Sequence, residues 1–217
     1  MTSDLELSVP SGLLRLFVAV EIPDVVKQEV ERRMTPLRER QAAAHGTRAR
    51  WVDPRGLHLT LVFLGDVPAD LLPALETALA EAVAPRSRMT LALSGGGTFP
   101  PHRPARVAWV GIQAPPALSE LQGALVGAAV DAVDHQPEER PFSPHVTLAR
   151  CREPWPQPAA REFVTAFAGP IGEPFEVAEV VLFRSHLGDS PGVRGARHEV
   201  LARFPLAPLA PLVEPGA

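Results

Sequence analysis

The chain has 217 residues, 46% of them hydrophobic, which is enough for one sizeable domain or two small lobes around an ordinary core. A formal net charge of −4 argues against a broad basic face that would hold nucleic acid without specificity, so any phosphate must be met locally. A single cysteine, Cys151, excludes an internal disulfide and a multi-cysteine metal site.

Residues 1–12 read as a loose leader. They carry acids where a signal peptide needs positive charge, and no apolar run in the chain approaches a membrane span, so a soluble cytoplasmic protein is expected. LRLFVAVEI (14–22) is an apolar run of strand length, and Pro23-Asp24 after it signals a helix start. That helix places Val26, Val30 and Leu37 on one face and is expected to end near Pro36. HGTRAR (45–50) reads as a polar, basic loop, and WVDPRG (51–56) leads into the strand HLTLVFLG (58–65), with Leu59, Leu61 and Phe63 expected to face the helices. PADLLPALETALAEAVA (68–84) spaces Leu71, Leu72, Leu75, Leu79 and Val83 as an amphipathic helix does, with Pro73 in its first turn.

A second round begins with MTLALSG (89–95), a glycine-rich turn and ARVAWVGI (105–112). The segment 118–133 is helical, with Leu121, Leu125 and Val133 as core positions. PFSPHVTLAR (141–150) is followed by a proline-rich connection, a short helix near 159–168, and the strands FEVAEVVLFRS (175–185) and HEVLARFPL (198–206). The expected class is α+β, with six to eight strands and three or four helices packed outside the sheets. Residues 13–206 form the domain and 207–217 a proline-rich tail.

A weak internal repeat stands out, because HLTL at 58 and HVTL at 145 share His, apolar, Thr, Leu. Side chains two apart on a strand point to one face, so each motif presents an imidazole and a hydroxyl together. A lone histidine in an apolar strand is most often a hydrogen-bonded core residue. Two copies in corresponding parts of a repeat predict instead two similar lobes whose faces line one cleft holding His58, Thr60, His145 and Thr147. Two imidazoles across a cleft suit a reaction that removes a proton at one end and supplies one at the other, and threonine donates to an anionic oxygen without titrating. Threonine is a poor zinc ligand and no carboxylate cluster accompanies either motif, so no metal and no cofactor are expected. The remaining histidines, His45, His102, His135, His186 and His198, read mostly as surface or loop residues.

These segments resemble the two-histidine phosphoesterases, specifically the bacterial and archaeal RNA 2′,3′-cyclic phosphodiesterases, also called 2′-5′ RNA ligases. The resemblance covers 14–206 through RLFVAVEIP, WVDPRGLHLTLVFLGDV, ARVAWVG, RPFSPHVTLAR, VVLFRSHL and HEVLARFPL. It implies a bilobal fold with a mainly antiparallel sheet in each lobe, outer helices, and the active site between them. It implies that His58 and His145 are the catalytic pair, that Thr60 and Thr147 hold the phosphate, and that Arg150 helps bind phosphate or nucleotide. By strand parity, however, Arg150 is opposite to His145 and reaches the cleft only if the strand ends, twists or bulges. Phe17 and Phe142 are candidates for stacking a base. Where the family commonly has Arg-Tyr, this chain has Arg197-His198, and it contains no tyrosine.

The activity implied is opening of a ribose 2′,3′-cyclic phosphate at an RNA end to a 2′-phosphate, by a monomer, with ATP-independent 2′-5′ joining as a further reaction. Two alternatives remain. One keeps the fold but acts on small cyclic nucleotides or 2′-5′ oligoadenylates. The other is a nucleotide- or RNA-binding module without turnover.

Overall fold

The computed structural model describes residues 12–45, 49–101, 104–186 and 197–209. Nearly all of the expected leader, and the tail from 210, lie outside the described residues. In chain order the elements are β1 (Leu13–Glu21), α1 (Asp24–His45), β2 (Ala49–Trp51), β3 (His58–Pro68), α2 (Leu72–Val83), β4 (Met89–Phe99) and β5 (Ala105–Gln113). Then come α3 (Pro116–Val133), β6 (His145–Trp155), α4 (Gln157–Ala166), β7 (Pro170–Val177), β8 (Glu179–His186) and β9 (Arg197–Pro205).

The strands form two antiparallel sheets, one ordered β3-β1-β8-β9 and the other β2-β6-β5-β4-β7. The chain is therefore α+β, with the repeat β1-α1-β3-α2 echoed by β5-α3-β6-α4. Each repeat's first helix covers the other repeat's sheet. α1 buries Val26, Val30, Met34 and Leu37 and lies against β7 and α4, while α3 buries Leu118, Leu121, Leu125 and Ala129 and lies against β3 and α2. Polar contacts hold the first crossing: the buried Gln41 Nε2 donates to the Ala159 carbonyl at 3.0 Å, and Arg33 donates to the Pro170 carbonyl at 2.8 Å. One continuous cluster of buried residues runs behind both sheets.

Several elements differ from expectation for local physical reasons. Pro36 does not end α1, because it sits on the exposed side, where the Arg32 carbonyl it leaves unbonded can be hydrated. The glycine run after Ser94 is strand, since β4 continues to Phe99. β6 likewise continues to Trp155, through the start of the expected proline-rich connection. The run 175–185 is not one strand: it breaks at Ala178, so β7 belongs to the second sheet and β8 to the first. The lobes are therefore not the two halves of the chain, because the β8–β9 hairpin returns to complete the sheet begun by β1 and β3. Ala207, expected in the tail, exchanges backbone hydrogen bonds with Arg86 and Arg88, both at 2.8 Å.

All three tryptophans, Trp51, Trp109 and Trp155, lie on strands of the second sheet. Because α1 and α3 each cover the opposite sheet, urea unfolding followed by tryptophan emission is expected to coincide with unfolding followed by far-ultraviolet circular dichroism. A tryptophan transition at clearly lower urea would mean that the second lobe melts alone.

Candidate active site

β3 of the first sheet runs beside β6 of the second. On β3, Leu59 is 0% exposed and packs in the core, while His58 and Thr60 point to the opposite, cleft face. The register between β1 and β3 then shifts, with Val18 opposite Val62 and Ala19 opposite Thr60, so Leu61 is an extra residue. This β-bulge reverses the alternation beyond it. Leu61 and Val62 both enter the core, and Phe63 emerges on the cleft face, 42% exposed and opposite Phe17. The expectation that Phe63 faces the helices is corrected by this bulge.

The second motif repeats the device. Trp109 lies opposite Thr147 and Ala108 opposite Ala149, leaving Leu148 as the extra residue. Val146, Leu148 and Ala149 are buried, and Arg150, exposed, shares the cleft face with His145 and Thr147. The parity that would have turned Arg150 away is thus inverted one residue before it. The Arg150 charge acts on His58, which ties the two lobes' faces together electrostatically.

Each histidine is held by a carbonyl two residues before it. Asp53 caps the turn Pro54–Gly56 by accepting from the Arg55 backbone N–H at 3.0 Å, and the Gly56 carbonyl accepts from His58 Nδ1 at 2.8 Å. The Ser143 carbonyl accepts from His145 Nδ1 at 2.7 Å. A carbonyl only accepts, so both Nδ1 atoms carry hydrogen and Nε2 is the nitrogen left for a ligand.

The surroundings of the two rings differ. His58 lies 4.9 Å from the Phe17 ring and 5.2 Å edge-on from His198, which is itself 4.9 Å from Phe17. His198 therefore lines the candidate site and is not a surface residue, and its Nδ1 is buried without a hydrogen-bond partner among the described residues. His145 stands against Phe99 at 5.2 Å and Trp109 at 6.0 Å. Phe17 is 4% exposed and stacks on Phe183, so it supports the His58 ring and has no open face for a base. Phe142 packs against the core. Phe63 is exposed, and the Arg15 guanidinium lies over its ring, 4.8 Å from the ring centre.

A cavity of about 440 Å³ opens near the end of β1, lined in part by Glu21, Lys27, Glu176 and Glu179. Its acids are engaged: Arg203 binds both Glu21 and Glu179, and Arg88 binds Glu176. Among the described residues no three His, Cys, Asp or Glu side chains assemble as a metal-ligand set. Cys151 is buried, which pushes its thiol up to about 11 and leaves it a weak nucleophile. No helix among the described residues is long and apolar enough to cross a membrane.

Burial pushes the His58 imidazole down to about 4, against the support of the Gly56 carbonyl, and His198, Arg150 and Lys27 add to the fall. The folded value lies below the ordinary 6.5, so this residue's contribution to stability is full above about pH 6.5 and is lost as the pH falls toward 4. The loss amounts to at most about 3 kcal/mol. Urea midpoints measured from pH 7 to 4 should therefore fall less steeply in His58→Leu than in the parent. Parallel curves would show that His58 titrates normally.

The model of the 2′-5′ RNA ligase superfamily matches residues 22–189, well over half of the chain. An RNA 2′,3′-cyclic phosphodiesterase of Geobacillus stearothermophilus is 32% identical over 88% of this chain, which spans 56% of that protein's length. One of Methanothermobacter thermautotrophicus is 29% identical over 80% of this chain and 91% of its own. Among solved structures, Escherichia coli LigT complexed with 3′-AMP superposes with a TM-score of 0.67 at 28% identity, over 89% of this chain and 98% of that one. The chain belongs to the 2′-5′ RNA ligase superfamily, among the two-histidine phosphoesterases.

Proposed function

We propose that this protein hydrolyses the 2′,3′-cyclic phosphate at an RNA end to a 2′-phosphate, without a metal. The observation that carries the proposal is the pair of imidazoles, each with Nδ1 bound to its own carbonyl and Nε2 left for a ligand, each beside a threonine on the same strand face. The relatives named RNA 2′,3′-cyclic phosphodiesterases support the substrate class.

One imidazole takes a proton from water as the water oxygen bonds to phosphorus. The other gives a proton to O3′ as the P–O3′ bond breaks. Thr60, Thr147 and Arg150 donate hydrogen bonds to the equatorial oxygens, where charge accumulates. Burial keeps His58 unprotonated at neutral pH, and a phosphate anion beside it favours its protonated form. A 5′-hydroxyl in place of water would join two RNA ends through a 2′-5′ linkage with no need of ATP. The exposure of Phe63 supports a role for its ring, with Arg15 beside it, in stacking on a base.

The test is hydrolysis of a cyclic-phosphate-ended RNA in EDTA. The parent should turn over, and His58→Ala and His145→Ala should each lose about 10²- to 10⁴-fold in kcat. Loss of activity in EDTA with recovery on adding a divalent metal would refute the mechanism. Tight binding of such ends without any turnover would make the protein a binding module.

A further inference from the structure

β2 pairs with β6 so that Arg50 stands directly opposite Arg150, and Trp51, on the other face, opposite Ala149. Both arginines are exposed, and Arg50 therefore shares the cleft face with Arg150, His145 and Thr147. Like charges directly opposite on neighbouring strands destabilise a sheet. Several arginines of this acidic chain are compensated: Arg40, Arg55, Arg88 and Arg203 each hold a carboxylate. Arg50 and Arg150 hold none among the described residues, where the ion pairs involve other side chains.

Two uncompensated guanidiniums about one strand spacing apart, roughly 4.8 Å between backbones, become favourable when anions lie between or beside them. A cyclic mononucleotide brings a single phosphate to two arginines, whereas an RNA end also brings the phosphodiester joining its last two nucleotides. We propose that Arg50 binds that internucleotide phosphate, so that Arg50 and Arg150 together clamp two successive phosphates of an RNA strand. The proposal rests on the assignment of Arg150 to the cyclic phosphate made above. It makes chain length the property that the site selects. Arginine suits the position because its planar fork meets phosphate oxygens in pairs, which a lysine cannot do.

The experiment compares kcat/KM for a 2′,3′-cyclic mononucleotide and for a dinucleotide ending in the same group, in the parent, Arg50→Gln and Arg50→Lys. The parent should prefer the dinucleotide. Arg50→Gln should reduce that preference about tenfold and flatten the salt dependence of the dinucleotide reaction by nearly one charge, with Arg50→Lys in between. Since the mutation relieves a like-charge pair, Arg50→Gln should unfold at the same or higher urea concentration than the parent. Binding of the corresponding 2′-phosphate products, as a ratio of Kd values, settles the clamp independently of turnover. An unchanged preference and Kd ratio in Arg50→Gln, or a parent with no preference for the dinucleotide in either measurement, overturns it. A parent that binds with the expected ratio but hydrolyses neither ligand refutes the proposed activity and leaves the clamp standing.

Discussion

One extra residue in each of two strands decides which side chains this protein presents to its cleft. Without the bulges at Leu61 and Leu148, alternation would send Val62 and Ala149 to the cleft after Thr60 and Thr147, and would bury Phe63 and Arg150. A bulge disrupts the ladder locally, at the scale of a hydrogen bond, about 0.5 to 1.5 kcal/mol. Burying the leucine side chain contributes about 1.5 to 3 kcal/mol. The hydrophobic term wins, and Leu61 and Leu148 are 4% and 0% exposed. The cleft's third residue on each strand is thus placed by the packing of its leucine neighbours.

The repeat is symmetric in backbone and unequal in chemistry. After the same bulge the first strand offers a phenyl ring and the second a guanidinium, so the cleft has an aromatic side and a cationic side within a chain of net charge −4. The two imidazoles share one way of fixing Nδ1 but differ in their walls. The first is enclosed by Phe17 and His198, the second stands by Phe99 and Trp109. Trp109 keeps its place because Gly97 has no side chain: a Cβ there would lie 2.1 Å from the indole. Burial of the first ring lowers its proton affinity.

Much of this was legible in the residues. Alternation and helical spacing located β1, α2, β5 and α3, and the duplicated His-x-Thr pointed to paired strands facing one cleft. Misread segments were those where the local signal and tertiary packing disagree. Ala178 looks like an ordinary strand residue, and only the partners of β7 and β8 reveal that the chain changes sheets there. Pro36 signals a helix end, but that signal weakens on a solvent face. A bulge has no reliable residue signature; the hint was the adjacent apolar pair, Leu61-Val62 and Leu148-Ala149, after each threonine. Arg50 was missed, and His198 was noted only as the replacement of a family tyrosine, because their relevance depends on cross-strand neighbours distant in the chain, Arg150 and His58.

The exchange of α1 and α3 between sheets bears on how such a chain could have arisen and how it could be divided. Either repeat alone would leave its own sheet without one of its two covering helices and carry a helix with nothing to cover. A half-length ancestor would therefore need a second copy to trade that helix with, as domain-swapped dimers do. Cutting the present chain between α2 and β4 should likewise yield two fragments that cannot fold separately and must find each other to do so.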